Sequence, residues 1–181
     1  MSKLKIYRST KNILNIHERK LPIPADLAVR IIDSLASDED HLWPHECWPA
    51  MILDRGLEIG SRGGHSKIRY CVTEYIPGKR VTFEFEPMEQ LHSFIGRHFF
   101  EVLDRPTHII LRHTIDAEIN PRDWIYWKIF IEQIHDAVIE DAFDKAERFA
   151  GLSNPHTTHW SFYVRLLRWI RARQRAQKHS S

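Results

Sequence analysis

Apolar and polar positions alternate along most of the first 120 residues, and the period lengthens to a helical one twice within the first 150. From Asn12 the run NILNIHERKL alternates and carries β-formers, which predicts a strand. In the next piece, PIPADLAVRIIDSLAS, Leu27, Ala28, Ile31, Ile32 and Leu35 recur at helical spacing. Pro24 and Asp26 stand where a first helical turn favours them. Past a Trp-Pro segment come AMILDRG, LEIGSRGG, KIRYCVTEYI, RVTFEFEP, GRHFFEVLD and THIILRHTIDAEI, all extended in pattern. Gly63-Gly64, Pro77-Gly78 and Asp104-Arg105-Pro106 lie between them as turn chemistry, so the connections are hairpins and the sheet is antiparallel. RDWIYWKIFIEQIHDAVIEDAFDKAERFAG then places Trp124, Trp127, Ile131, Ile134, Val138, Ala142 and Phe149 on one stripe and stops at Gly151. That predicts one long amphipathic helix. A sheet with one apolar face and a long helix with an apolar stripe bury each other, which gives an α+β architecture with the sheet wrapped around the helix.

Composition narrows the class. With 181 residues, 43% hydrophobic and 28% charged, the chain suits one globular domain with a real core. No apolar run approaches the ~20 residues of a membrane span, and MSKLKIYRSTKN lacks the apolar centre of a secretory signal, so a cytoplasmic location is expected. Cys47 and Cys71 are far apart and form no C-x-x-C motif, so no disulfide is expected.

The net charge of +2 conceals an asymmetry. Arg165, Arg168, Arg171, Arg173, Arg175 and Lys178 give residues 151–181 six basic side chains and no acidic one. Residues 1–150 therefore hold 20 basic against 24 acidic residues. A basic footprint on the folded body is missing, so no nucleic-acid partner is expected. The chain divides into a domain at 1–151 and a tail at 152–181, joined by the polar, Pro155-containing linker LSNPHTTH. WSFYVRLLRWIRARQR plots as a helix with an apolar arc of Trp160, Phe162, Tyr163, Val164, Leu166, Leu167, Trp169 and Ile170, opposed by Arg165, Arg168 and Arg175. Such a basic amphipathic helix over residues 160–175 suits the surface of an anionic membrane and peripheral attachment there. The same arc also suits packing on the domain or self-association.

The order of elements, LPIPADLAVRIIDSL after the first strand, the paired LWP and CWPAM, the hairpin GGHSKIRYCVTEYIPGKRVTFEF and HDAVIEDAFDKAE in the last helix together resemble the START-like or SRPBCC superfamily. Within it they resemble the polyketide cyclase/dehydrase and lipid-transport branch, over residues 12–151. The resemblance implies a helix-grip fold: a curved antiparallel sheet of about six to seven strands around a long C-terminal helix, with an internal apolar cavity. It leaves the function open, because such folds host carriers, cyclases and hydroxylase subunits alike.

Strand alternation assigns the residues of that cavity. In THIILRHTIDA the inward set is Ile109, Leu111, His113, Ile115 and Ala117; in RVTFEFE it is Val81, Phe83 and Phe85. KIRYCVTEY points Ile68, Tyr70 and Val72 inward and continues to Glu74, and RHFFEVL points His98, Phe100 and Val102 inward. The expected ligand-binding set is Tyr70, Phe83, Phe85, His98, Phe100, Leu111 and His113 from the sheet, with Trp127, Ile131 and His135 from the helix. Asp136 reads as solvated. His98 and His113 read as core histidines hydrogen-bonded to Tyr70, backbone or water, and the alternative makes them the candidate acid and base, since imidazole titrates near neutrality.

The stretch HLWPHECW holds His41, His45, Glu46 and Cys47 but not a metal site: Pro44 breaks the helix that a four-residue spacing would need, and immediate chain neighbours converge poorly on one ion. Trp43-Pro44 and Trp48-Pro49 instead read as rigid turns carrying rings over the pocket rim or into the core, a structural lid. No metal and no cofactor are expected; G-x-S-x-G, Walker and H-E-x-x-H patterns are all missing. Arg62 and His65 read as a solvated turn around the glycines, with anion binding at the pocket mouth as the alternative. The expected function is binding, with or without transport, of a small hydrophobic ligand such as a lipid, polyketide or aromatic compound. The alternatives are a polyketide cyclase/dehydratase-like enzyme using the pocket histidines and a non-enzymatic interaction module.

Overall fold

A computed structural model of the chain describes residues 10–89, 91–152 and 160–178. Its elements are β1 (Lys11–Leu21), α1 (Ala25–Asp33), β2 (Ile52–Leu53), β3 (Arg62–His65), β4 (Ile68–Ile76), β5 (Arg80–Phe85), β6 (Ile95–Arg105) and β7 (His108–Ile119). The chain then enters α2 (Pro121–Tyr126), passes through a π-helical turn (Trp127–Ile131) into α3 (Glu132–Phe149), and ends in α4 (Phe162–Lys178). The strands form one antiparallel sheet ordered β1-β7-β6-β5-β4-β3-β2, curved around the long helix in an α+β helix-grip arrangement.

Local chemistry sets the boundaries of the long helix. Asn120 caps α2 by accepting from the Asp123 N–H at 2.8 Å, with Pro121 in the first turn where its missing N–H costs nothing. Gly151, at φ +72°, ends α3. The tail segment expected to be a linker lies, from residue 153 to residue 159, outside the described residues.

Three expectations change. Leu57–Gly60 is turn, not strand, and Gly63 and Gly64 sit inside β3 rather than at a hairpin tip, which Ser66 and Lys67 form instead. The glycines are there for approach distance: a Cβ on Gly63 would stand 1.9 Å from the Ile52 carbonyl oxygen, and one on Gly64 1.9 Å from that of Ile68. Glu74 does not face inward. The β4–β5 register shifts between Val72 and Glu74, so Tyr75 opposes Val81 and packs on the core. Glu74 turns to the outer face, where it accepts from Thr82 Oγ1 at 2.8 Å and pairs with Arg80.

The main core joins α1, the sheet, α3 and Val164 of α4, around fully buried Tyr70, Phe83, Phe100, Leu111 and Phe143. A smaller cluster of Met88, Leu91, Phe94, Ile115, Ile119 and Trp127 closes one end. Between β1 and α3 the seam is polar. Arg19, 5% exposed, pairs with Glu140 at 2.8 Å, Asp144 at 3.1 Å and Glu147 at 2.7 Å. His17 bridges Asp136 at 3.0 Å and Glu140 at 2.8 Å. Such buried charges hold register because removing one partner strands the others in low dielectric.

Candidate functional site

Between the sheet and the long helix lies a cavity of about 410 Å³, at the lower end of the ~300–1,000 Å³ typical of small-molecule sites. Its walls are mostly apolar: Ile115 from β7, Trp127, Ile131, Ile134, Val138 and Ile139 from the helix, and Met88, Leu91 and Phe94 from the segment before β6. Lining residues that also reach solvent, Ser66, Lys67 and Tyr126, mark the opening between the β3–β4 turn and the π-helical turn.

Of the ten residues expected to bind ligand, Phe85, His98, His113, Trp127, Ile131 and His135 line this cavity. Tyr70, Phe83, Phe100 and Leu111 do not; they are fully buried behind the lining and support it. Tyr70 meets His98 edge-on at 4.8 Å and Phe83 stacks on it at 4.8 Å, so both hold the imidazole rather than the cavity contents. Phe100 does the same for His113, at 4.5 Å.

The two inward histidines meet. His98 Nδ1 and His113 Nε2 are 3.2 Å apart, both rings are buried, and His135 approaches His113 with centroids 5.0 Å apart. Burial pushes His98 and His113 well below their ordinary pKa of 6.5 and lowers that of His135, so at neutral pH each ring is uncharged, with one donor and one acceptor. Of the partners expected for core histidines, Tyr70, backbone or water, Tyr70 is engaged elsewhere, its hydroxyl meeting His65 Nδ1 at 3.1 Å. The outer nitrogens of the pair, His98 Nε2 and His113 Nδ1, have no hydrogen-bond partner among the described residues, nor do His135 Nε2 and Trp127 Nε1, while His135 Nδ1 lies 3.6 Å from an Asp136 carboxylate oxygen. Leaving a buried polar atom unsatisfied costs about 1–3 kcal/mol, so these enclosed nitrogens are a cost carried by the packing around the cavity.

Behind His135 lies Asp136, which is not simply solvated. Burial alone would raise its pKa, yet His135, His17 and Asn15 hold it far below the ordinary carboxylate range. His17, His135 and Asp136 offer ligand atoms within 4.8 Å of one another. Both His17 nitrogens are already engaged by carboxylates, so the cluster is explained as an ion pair.

The Trp-Pro segment holds the opposite wall. Asp40 anchors it, accepting from the N–H groups of Leu42 at 2.7 Å, Trp43 at 2.6 Å and Ala36 at 2.8 Å. Trp43 donates to the Pro49 carbonyl at 2.8 Å and Trp48 to Asp141 at 2.7 Å, and both rings line the cavity. His41 stacks on Phe149 at 3.7 Å and His45 contacts Lys145, so these two do not converge. His65 is a wall residue tilted against Trp43 at 4.6 Å rather than part of a solvated turn, and Arg62 pairs with Glu86. Alternation could not find Met88, Leu91 and Phe94, whose only signal is their three-residue spacing after Pro87.

Against α3, α4 buries Val164, and Arg168 forms an ion pair with Asp141. Phe162, Leu166 and Trp169 remain 80%, 41% and 51% exposed. The side chains of Ile170, Arg171 and Arg175 lie outside the described residues. Among the described residues no helix is long and apolar enough to cross a membrane.

No family model matches the chain, and no curated protein does. Solved structures do. A solution structure from Thermobifida fusca is 16% identical with a TM-score of 0.61, covering 81% of this chain and 99% of its own. A norcoclaurine synthase point mutant from Thalictrum flavum, in complex with a transition-state analogue, is 12% identical with a TM-score of 0.59, over 78% of this chain and 96% of its own. A protein from Rhizobium leguminosarum is 14% identical with a TM-score of 0.54, over 81% and 99%. At these identities the likeness shows the fold, and the fold is that of the helix-grip proteins.

Proposed function

We propose that the protein binds a small hydrophobic ligand, of the lipid, polyketide or aromatic kind, between its sheet and long helix, as the START-like resemblance implies. The observation that carries this is a mostly apolar cavity of about 410 Å³ with an entrance beside Ser66, Lys67 and Tyr126. An interaction module with a packed interior would have no use for such a space. Native mass spectrometry of protein from its own host should show retained small-molecule mass. The neutral fluorescent probe N-phenylnaphthylamine should brighten on binding, and Ile134→Trp, which fills the cavity from the helix side, should abolish that signal in a folded protein. A folded wild type that leaves the probe dark defeats the proposal.

A second reading is favoured by one observation, the 3.2 Å contact between His98 and His113. Two neutral imidazoles in line can accept a proton at one end and release one at the other, which suits cyclase or dehydratase chemistry on a bound poly-ketone. In this reading His113→Gln keeps probe binding and removes turnover; equal loss of both returns the protein to a carrier.

The apolar stripe Phe162, Leu166 and Trp169, in a tail whose charge is entirely basic, supports contact of α4 with an anionic membrane surface.

A further inference from the structure

The ion pair at the β1–α3 seam accounts for His17, Asp136 and Glu140 but leaves two neighbours unexplained. His135 makes no hydrogen bond among the described residues, and its Nδ1, at 3.6 Å from Asp136 Oδ1, is beyond hydrogen-bond reach. Asn15 Nδ2 donates to that same oxygen at 3.0 Å, while Asn15 Oδ1 is enclosed without a partner among the described residues. His17 Nε2 also meets Asp136 Oδ1, at 3.0 Å. Asn15 and His17 from β1 and His135 from α3 thus converge on one carboxylate oxygen, and two of the three carry unused ligand atoms.

The spacing is that of a coordination shell. Nitrogen and oxygen ligands at ~2.0–2.2 Å from a tetrahedral zinc ion lie about 3.4 Å from one another. The 3.0 and 3.6 Å separations of Asp136 Oδ1 from His17 Nε2 and His135 Nδ1 fall on either side of that value. One ligand atom from each of His17, His135 and Asp136 lies within 4.8 Å of the other two. Chain neighbours usually diverge around a helix, yet the 3.6 Å separation brings His135 and Asp136 together. Glu140 supplies support from behind: it accepts from His17 Nδ1 at 2.8 Å and so turns Nε2 toward Asp136, the way a carboxylate orients a metal-bound imidazole. The Asp136 side chain is 40% exposed, which gives an ion a path from solvent.

We propose that the seam binds one divalent transition-metal ion of the zinc type through His17 Nε2, His135 Nδ1 and Asp136 Oδ1, with Asn15 as fourth ligand once its amide turns Oδ1 toward the ion. The ion takes the place of the Nε2 proton that His17 shares with Asp136, while the Nδ1 proton stays on Glu140. It clasps β1 to α3 beside the cavity, of which His135 is a wall residue. Two imidazole donors select zinc, cobalt or nickel over magnesium and calcium.

Untagged full-length protein, stripped with EDTA and dialysed against dilute Zn2+, should retain one ion per chain by elemental analysis, and none from Mg2+ or Ca2+. Zinc should raise the thermal midpoint, and Co2+ should give the visible absorption bands of a tetrahedral site. His135→Gln and Asp136→Asn should each abolish retention. Glu140→Gln, which removes the support of His17 and no ligand, should weaken zinc binding by about tenfold to a hundredfold. His45→Gln, on the Trp-Pro segment, should leave it unchanged. Because seam variants can also loosen the fold, the wild type is decisive alone: folded protein that retains no zinc and shows no cobalt bands overturns the proposal. Retention unchanged in folded His135→Gln overturns it too, since the ion would then sit elsewhere.

Discussion

At the scale of single residues, the histidines divide by their surroundings, and pH should separate them. His17 lies between Asp136 and Glu140; burial works against its charge, but the two carboxylates overcome that and lift its pKa from 6.5 to about 9. The folded state therefore favours its protonated form. Its stabilising contribution is complete below pH 6.5 and is lost as the pH climbs toward about 9. His98, His113 and His135 act in the opposite sense. Burial depresses them, the unfolded chain protonates near 6.5 and the folded one does not, so their contribution holds above 6.5 and drains away as the pH falls. Urea midpoints measured across pH should peak near neutrality, with His17→Gln flattening the alkaline limb and His113→Gln the acid limb. An alkaline limb unchanged in His17→Gln would mean the bridge to α3 contributes nothing. That His98 and His113 face inward was legible from strand parity, but their contact was not, because it depends on the register between β6 and β7 that pairs His98 with Ile115 and Phe100 with His113. Glu74 was misplaced because one extra residue at Thr73 reverses parity beyond it, and nothing in TEYI announces a bulge.

At the scale of elements, the sequence pattern locates nearly every strand, since a sheet with one buried face must alternate and a helix under it must carry a stripe. It fails where the chain has no period. Met88, Leu91 and Phe94 line the cavity from outside any strand or helix, and the wall at Trp43 and Trp48 is placed by Asp40 and Asp141, whose roles depend on partners distant in sequence or on backbone direction. The glycines of β3 show how an element can be forced by contact rather than propensity. Gly63→Ala would drive a Cβ to 1.9 Å from the Ile52 carbonyl oxygen, so β2 must detach or β3 must shift, at a cost of about 3 kcal/mol. Gly56→Ala meets no atom within 4 Å and bears only the strain of its φ of +57°, about 1 kcal/mol. Urea unfolding should rank the two variants in that order; similar losses would show that β2 yields readily and that the approach is not a constraint.

At the scale of the whole molecule, an acidic body carries a basic helix, and that helix is neither detached nor wholly buried. Val164 enters the main core and Arg168 reaches Asp141, the same carboxylate that takes the Trp48 indole N–H of the cavity wall, so the packed side of α4 is joined to the cavity. Its other side leaves Phe162, Leu166 and Trp169 open, with the Arg173 guanidinium 3.9 Å from the Trp169 ring centroid. Exposed rings among arginines gain from burial at a lipid interface, and each basic residue near an anionic surface adds about 1 kcal/mol, an attraction that salt screens. The full-length protein should therefore co-sediment with vesicles containing phosphatidylserine but not with pure phosphatidylcholine, and the bound fraction should fall as salt rises. Replacing Phe162, Leu166 and Trp169 together by serine keeps Val164 in the core and the Arg168–Asp141 ion pair, so it should abolish sedimentation and leave N-phenylnaphthylamine binding unchanged. If that variant instead converts a dimer to a monomer, with wild-type protein ignoring both vesicles, the stripe is a surface for a second copy of the chain. Binding that survives in high salt would point to insertion of the rings without help from the arginines, and would detach the charge asymmetry of the sequence from any role in attachment.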